Sequence, residues 1–104
     1  MTNQPINRYD HFRALGQSGG PHDVDTLMRH LHEQVDFTTT RLVDFALDLV
    51  NTEDGADRLR HYLFHGALIQ RNYAALYFKR RQEFALLNEA VAQGQIDEIQ
   101  AYTM

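Results

Sequence analysis

Four side chains with metal-binding chemistry lie at helical spacing in the middle of the chain. Asp44 and Asp48 are four residues apart, and so are His61 and His65. Residues four apart lie one turn apart on the same face of an α-helix. If the two helices form an antiparallel hairpin about residues 51–53, Asp48 lies near His61 and Asp44 lies near His65. Carboxylates and imidazoles from facing helices bind zinc, iron or manganese, so a metal-binding helical bundle is one hypothesis.

The same four residues also fit a solvent-exposed charged face. The bundles that hold two metal ions use glutamates together with a Glu-x-x-His motif, and this motif is absent from the chain. We therefore expect no metal and no cofactor, and we keep the site at Asp44, Asp48, His61 and His65 as an alternative.

A second set of residues combines an arginine with a histidine. The segment Arg60-His-Tyr-Leu-Phe-His65 has four residues between Arg60 and His65, with a polar residue directly after the arginine. Arginine can stabilise charge that develops on a phosphate, and histidine can transfer a proton. This six-residue pattern resembles the motif of HEPN ribonucleases. The resemblance implies a helical bundle that dimerises, with Arg60 and His65 of both subunits at a shared cleft that cuts RNA without a metal.

A third segment, residues 71–81, mixes basic and aromatic side chains. Such a mixture suits the stacking of single-stranded nucleic acid. However, Tyr73 and Tyr77 share one helical face, which favours packing in the core with the hydroxyls at the rim. Tyrosine and arginine are also common anchors of protein interfaces. We predict that a partner protein is contacted by Arg71, Tyr73, Tyr77 and Arg80.

The stretch of residues 23–50 organises the predicted fold. It has neither Gly nor Pro, and its apolar residues recur at intervals typical of a helix. The repeating residues are Met28, Leu31, Val35, Leu42, Phe45 and Leu49. We predict one long amphipathic helix, about 40 Å long at a rise of about 1.5 Å per residue. The β-branched run of residues 38–40 lowers helix propensity and could kink the helix, but one helix is the preferred interpretation because the stretch has no Gly or Pro.

Shorter helices are predicted after Asn51. Thr52 is a candidate cap for the first of them, and Gly66 and Gly94 interrupt the later apolar patterns. The first predicted helix follows the cap at Thr52 and is interrupted at Gly66, and the others cover about residues 68–81, 83–93 and a short final segment within 95–102. The fold class is therefore all-α: a small bundle built on the long N-terminal helix and three to four shorter ones. A stack of helical hairpins is the alternative arrangement.

The chain divides into two regions in this interpretation. Residues 1–22 contain a glycine-rich segment followed by Pro21, which is typical of a linker. We therefore expect a flexible N-terminal arm over residues 1–22 and a single helical-bundle domain over residues 23–104.

Composition narrows the function classes. The formal charge is −4 and there is no Cys, which argues against a dedicated nucleic-acid binder and excludes disulfides and thiolate chemistry. There is no run of about 18 apolar residues and no signal-peptide pattern. We expect a cytoplasmic protein that does not bind membranes.

A non-enzymatic protein-interaction module is the function that we predict. The long helix would extend beyond the later helices, so its remaining apolar surface predicts a homodimer. The dimer would offer a helical groove to another protein. The ribonuclease, with RNA as its substrate, and the metal-binding bundle are the alternatives.

Overall fold

The fold is entirely helical over the residues that the structure describes. The computed structural model describes residues 7–102, and these form seven α-helices and no β-strand. The all-α class is therefore confirmed. The helices are α1 (Arg8–Ser18), α2 (Pro21–Met28), α3 (Phe37–Asp48), α4 (Glu53–His65), α5 (Leu68–Arg80), α6 (Phe84–Ala92) and α7 (Glu98–Tyr102).

The single long helix predicted for residues 23–50 is wrong. Helix α2 ends at Met28, and α3 begins at Phe37 after an irregular segment. The side chain of Asp36 accepts a hydrogen bond from the backbone amide of Thr39 at 2.7 Å, which is the N-cap arrangement that starts a new helix. The hydroxyl of Thr40 donates to the carbonyl oxygen of Phe37 at 2.7 Å. These side chains bond to the backbone of their own first turn, and this favours a helix start over a continuous rod.

Because of the break, the two parts of the apolar stripe, on α2 and on α3, pack against different helices. Helix α1 packs mainly on α3, whereas α2 packs on α4 as well as on α1. Leu31, in the connecting segment, is buried together with Met28 and Val43. Because the stripe belongs to two helices, there is no single long helix whose uncovered apolar surface would require a second copy of the chain.

Part of the predicted N-terminal arm is packed helix. Residues 1–22 include α1, whose Phe12 is only 2% exposed within the core. Gly19 has a positive φ of 62° and ends α1, a conformation that glycine adopts readily. Pro21 occupies the first turn of α2, where its missing amide hydrogen is not needed. Residues 1–6 lie outside the described part of the chain.

The helices after Asn51 agree with the predicted pattern. The hydroxyl of Thr52 accepts a hydrogen bond from the amide of Gly55 at 2.9 Å and caps α4. Helix α5 ends one residue before the predicted boundary, and α6 and α7 lie within their predicted segments. Apolar residues on each helix face inward, including Leu59 and Leu63 on α4.

The arrangement is longer in one direction than in the others, with extents of 55 × 29 × 22 Å. The helix pairs with extensive contacts are at most two apart in chain order. This is closer to helices stacked in a row than to a bundle around one axis. Within residues 7–102, no helix combines the length and apolar character needed to cross a bilayer.

Candidate interaction surface

Tyr77, one of the four predicted contact residues, is not at the surface. Its side chain is 3% exposed, and its hydroxyl donates to the carbonyl oxygen of Val50 at 2.8 Å. Burial raises the pKa of Tyr77. The prediction that Tyr77 contacts a partner is therefore corrected, because its face of α5 packs on the segment between α3 and α4.

The two predicted arginines already have partners inside the chain. Arg80 donates to both carboxylate oxygens of Asp44, at 2.9 and 2.8 Å, and these hydrogen bonds raise the pKa of Arg80. Arg71 donates to the carbonyl oxygens of Gln95 and Gly66, at 2.7 and 2.9 Å. Arg80 thus joins α5 to α3, and Arg71 holds the N-terminal end of α5 to the turns beside it.

Tyr73 remains available at the surface. It is half-buried and lines a shallow groove of about 370 Å³ between α5 and α7. Ile99 lines the same groove and is 71% exposed. Among the four predicted contact residues, Tyr73 is the one whose side chain lines the apolar groove between α5 and α7.

The alternative metal site is not assembled. Asp44 pairs with Arg80, and Asp48 accepts a hydrogen bond from Arg81 at 3.0 Å. His61 and His65 lie on α4, which packs on α2 and α5, whereas α3 packs on α1. The predicted hairpin of α3 and α4 is therefore not formed, and the structure does not bring the carboxylates to the imidazoles. Within residues 7–102, no three His, Asp or Glu side chains group so as to hold a metal ion.

Arg60 and His65 line one shallow cleft, of about 350 Å³, between α4 and α6. Arg60 forms an ion pair with Asp57, and its guanidinium lies 5.8 Å from the ring centroid of Phe78. His61 lines the same cleft, and burial lowers its pKa, with a further lowering from the charge of Arg58. A site shared by two subunits would need a second copy of this cleft, so RNA cleavage by Arg60 and His65 stays a prediction.

A larger apolar groove lies elsewhere, beside Phe37. It has a volume of about 810 Å³ and runs between the segment that joins α2 to α3 and the start of α5. Phe37 is 75% exposed and Leu68 is 58% exposed at its edge. We call this depression the Phe37 groove, and its lining includes Leu31, Val35, Phe37, Thr40, Leu68 and Ile69.

A second depression, of about 440 Å³, lies on the other side of Phe37. There the ring of Tyr9 stacks on Phe45 with a centroid distance of 4.9 Å. The guanidinium of Arg41 lies 5.6 Å from the ring centroid of Phe37. Phe37 therefore projects between two apolar depressions.

The surface around Phe37 was not predicted from the sequence. Phe37 lies outside the apolar stripe of residues 23–50, so it was not assigned to the core. A large apolar residue away from the buried stripe, directly after a candidate N-cap aspartate, is the signal that could have found it.

Comparisons of the chain with protein-family models, with curated proteins and with solved structures gave no match.

Proposed function

We propose that this protein is a non-enzymatic interaction module that forms a homodimer through the Phe37 groove. The observation that carries the proposal is Phe37, which is 75% exposed beside an apolar groove of about 810 Å³. Burial of such a side chain stabilises an interface by about 1.5–3 kcal/mol. Exposed apolar surface of this kind commonly marks a site of protein association.

A second copy of the chain fits this surface because it carries a projecting ring next to a depression. Two-fold symmetry joins identical patches, so each copy must offer both the projecting group and its receptor. With a two-fold axis near Phe37, the ring of each copy can enter the Phe37 groove of the other.

Charged residues beside Phe37 support the same arrangement. Glu33 lines the Phe37 groove and Arg41 lines the depression on the other side. When the two-fold axis crosses the line between them, Glu33 of one copy faces Arg41 of the other. Opposite charges across an interface favour one register over others.

The test is the oligomeric state over a range of concentrations, measured by sedimentation velocity. We expect the wild-type chain to be dimeric and Phe37→Ser to weaken association about 30-fold, which corresponds to an interface hot spot of about 2 kcal/mol. Ile99→Ser is the matched control, because Ile99 on α7 is also highly exposed but lies outside the Phe37 groove. This variant should associate as the wild type does.

Two results would contradict the proposal. A wild-type chain that stays monomeric at every concentration would exclude the homodimer. Equal weakening by Phe37→Ser and Ile99→Ser would show that the Phe37 groove is not the contact surface. If a different protein occupies the groove, the free chain is monomeric, and Phe37→Ser abolishes binding of that protein.

The cytoplasmic location stays a prediction.

A further inference from the structure

We propose that His61 and His65 form a two-imidazole site for a divalent transition-metal ion. The two residues lie four apart near the C-terminal end of α4, so both side chains project from the same face. Pairs of histidines with this spacing on a helix can bind one zinc ion together. The site is independent of the Phe37 groove and of the proposed dimer.

The separation of the rings matches a shared ion. Their centroids are 5.1 Å apart, with the ring planes inclined by 41°. A zinc ion about 2.0–2.1 Å from a ring nitrogen lies about 3 Å from the ring centroid. Two rings that bind one ion at a tetrahedral angle therefore have centroids about 5 Å apart. The centroid distance of 5.1 Å in the structure meets this requirement.

Both imidazoles are accessible and available as ligands. His61 and His65 are exposed at the cleft between α4 and α6. Among the hydrogen bonds and ion pairs within residues 7–102, none involves either ring. By contrast, His30 packs on Phe12 at a centroid distance of 4.9 Å, and Nδ1 of His32 accepts a hydrogen bond from the amide of Gln34.

The ligand set indicates the class of ion. Two neutral imidazoles favour copper, nickel or zinc, whereas magnesium and calcium favour oxygen ligands. Within residues 7–102 no third acidic or histidine ligand joins the pair, so water would complete the coordination. An ion held between consecutive turns would bind the folded helix better than the unfolded chain, so it would stabilise the fold.

The test is a zinc chloride titration of the full chain, followed by calorimetry and thermal unfolding. We expect zinc to raise the melting temperature, and His61→Ala or His65→Ala to weaken zinc binding about tenfold or more. The reason is that the second imidazole binds intramolecularly once the first is engaged. His32→Ala is the matched control and should bind zinc as the wild type does.

A second measurement locates the ion directly. Paramagnetic nickel should broaden the ring signals of His61 and His65 in the NMR spectrum before those of His32. Unfolding of each variant without metal shows whether it is folded, and His61→Asn replaces His61→Ala if that variant is not. The proposal is overturned by a wild-type chain that does not respond to zinc. It is also overturned by unchanged zinc affinity in both single variants, or by magnesium acting as well as zinc.

Discussion

Tyr73 and Tyr77 illustrate how much two tyrosines on one helix can differ. Tyr77 is buried and donates to the carbonyl oxygen of Val50, and the guanidinium of Arg81 lies 3.6 Å from its ring centroid. Tyr73 lines the open groove beside Ile99. Helical spacing predicted that the two share a face. It could not predict which of them is covered, because the cover for Tyr77 comes from the segment after α3.

Tyr77→Phe should lower the free energy of unfolding by about 1–2 kcal/mol, because it removes a buried hydrogen bond and leaves the carbonyl oxygen of Val50 less well satisfied. Tyr73→Phe should change it by less than about 0.5 kcal/mol, as surface substitutions usually do. Urea denaturation of the two variants and the wild type measures both values. Equal effects of the two substitutions would contradict the different roles assigned to these tyrosines.

Asp44 and Asp48 form ion pairs that helical spacing alone did not predict. The alternative metal site required Asp44 and Asp48 to face histidines, but each faces an arginine at the end of α5 or directly after it. The i, i+4 spacing of a helix shows which residues share a face, and it does not show which helix lies opposite. Spacing therefore placed these residues on common helix faces, whereas the pairing of α3 with α4 that the alternative site required is not among the extensive helix contacts.

At the scale of elements, α1 and α3 approach each other closely at Gly16. A Cβ atom added to Gly16 would lie 2.1 Å from the carbonyl oxygen of Ala46, much closer than atoms tolerate. The absence of a side chain at Gly16 thus allows the two helices to pack. From the sequence, Gly16 was interpreted as part of a linker. The sequence alone does not distinguish a glycine that allows close packing of a second helix from a glycine that ends a helix.

Gly16→Ala should therefore destabilise the fold by about 1–3 kcal/mol through overpacking, although alanine favours helix formation more than glycine does. Gly20→Ala is the matched control, because a Cβ there would meet only an oxygen of Asp23 at 3.5 Å. Its effect should be below about 1 kcal/mol, because Gly20 is the N-cap of α2 and alanine is only somewhat less favourable than glycine there. Thermal unfolding followed by circular dichroism compares the two, and a stable Gly16→Ala protein would contradict this account of the α1–α3 contact.

The boundaries of α4 to α7 were predictable because they depend on local signals. Thr52 caps α4, and Gly66 and Gly94 follow α4 and α6. The break between α2 and α3 was missed because it contains neither Gly nor Pro. Its signal was Asp36 three residues before Thr39, an N-cap pattern inside an otherwise continuous apolar repeat.

At the scale of the molecule, α1 extends the row of helices at its N-terminal side. It packs on both α2 and α3, and the hydroxyl of Thr52 donates to the carbonyl oxygen of Gly19 at 2.6 Å, which joins the end of α1 to the start of α4. The contacts of α1 with α3 and with Thr52 could not be predicted from local sequence, since both depend on the path of the chain after Met28. The exposure of Phe37 depends on the same path.

Removal of residues 1–20 should destabilise the remaining chain severely. The deletion uncovers the surface that Phe12 buries, and loss of one buried phenylalanine side chain alone costs about 3–5 kcal/mol. Thermal unfolding of the shortened chain should show a broad transition or none. A cooperative transition near the wild-type melting temperature would instead support the predicted division into an arm and a bundle over residues 23–104.

The stacking of helices that are close in chain order has a kinetic consequence. Each contact between helices closes only a short length of chain, so little conformational entropy is lost before the first stabilising contacts form. Proteins dominated by such local contacts fold in microseconds to milliseconds. Refolding of this chain should thus be rapid. In its transition state, we expect contacts between adjacent helices to be formed before the helices at the two ends of the row are packed.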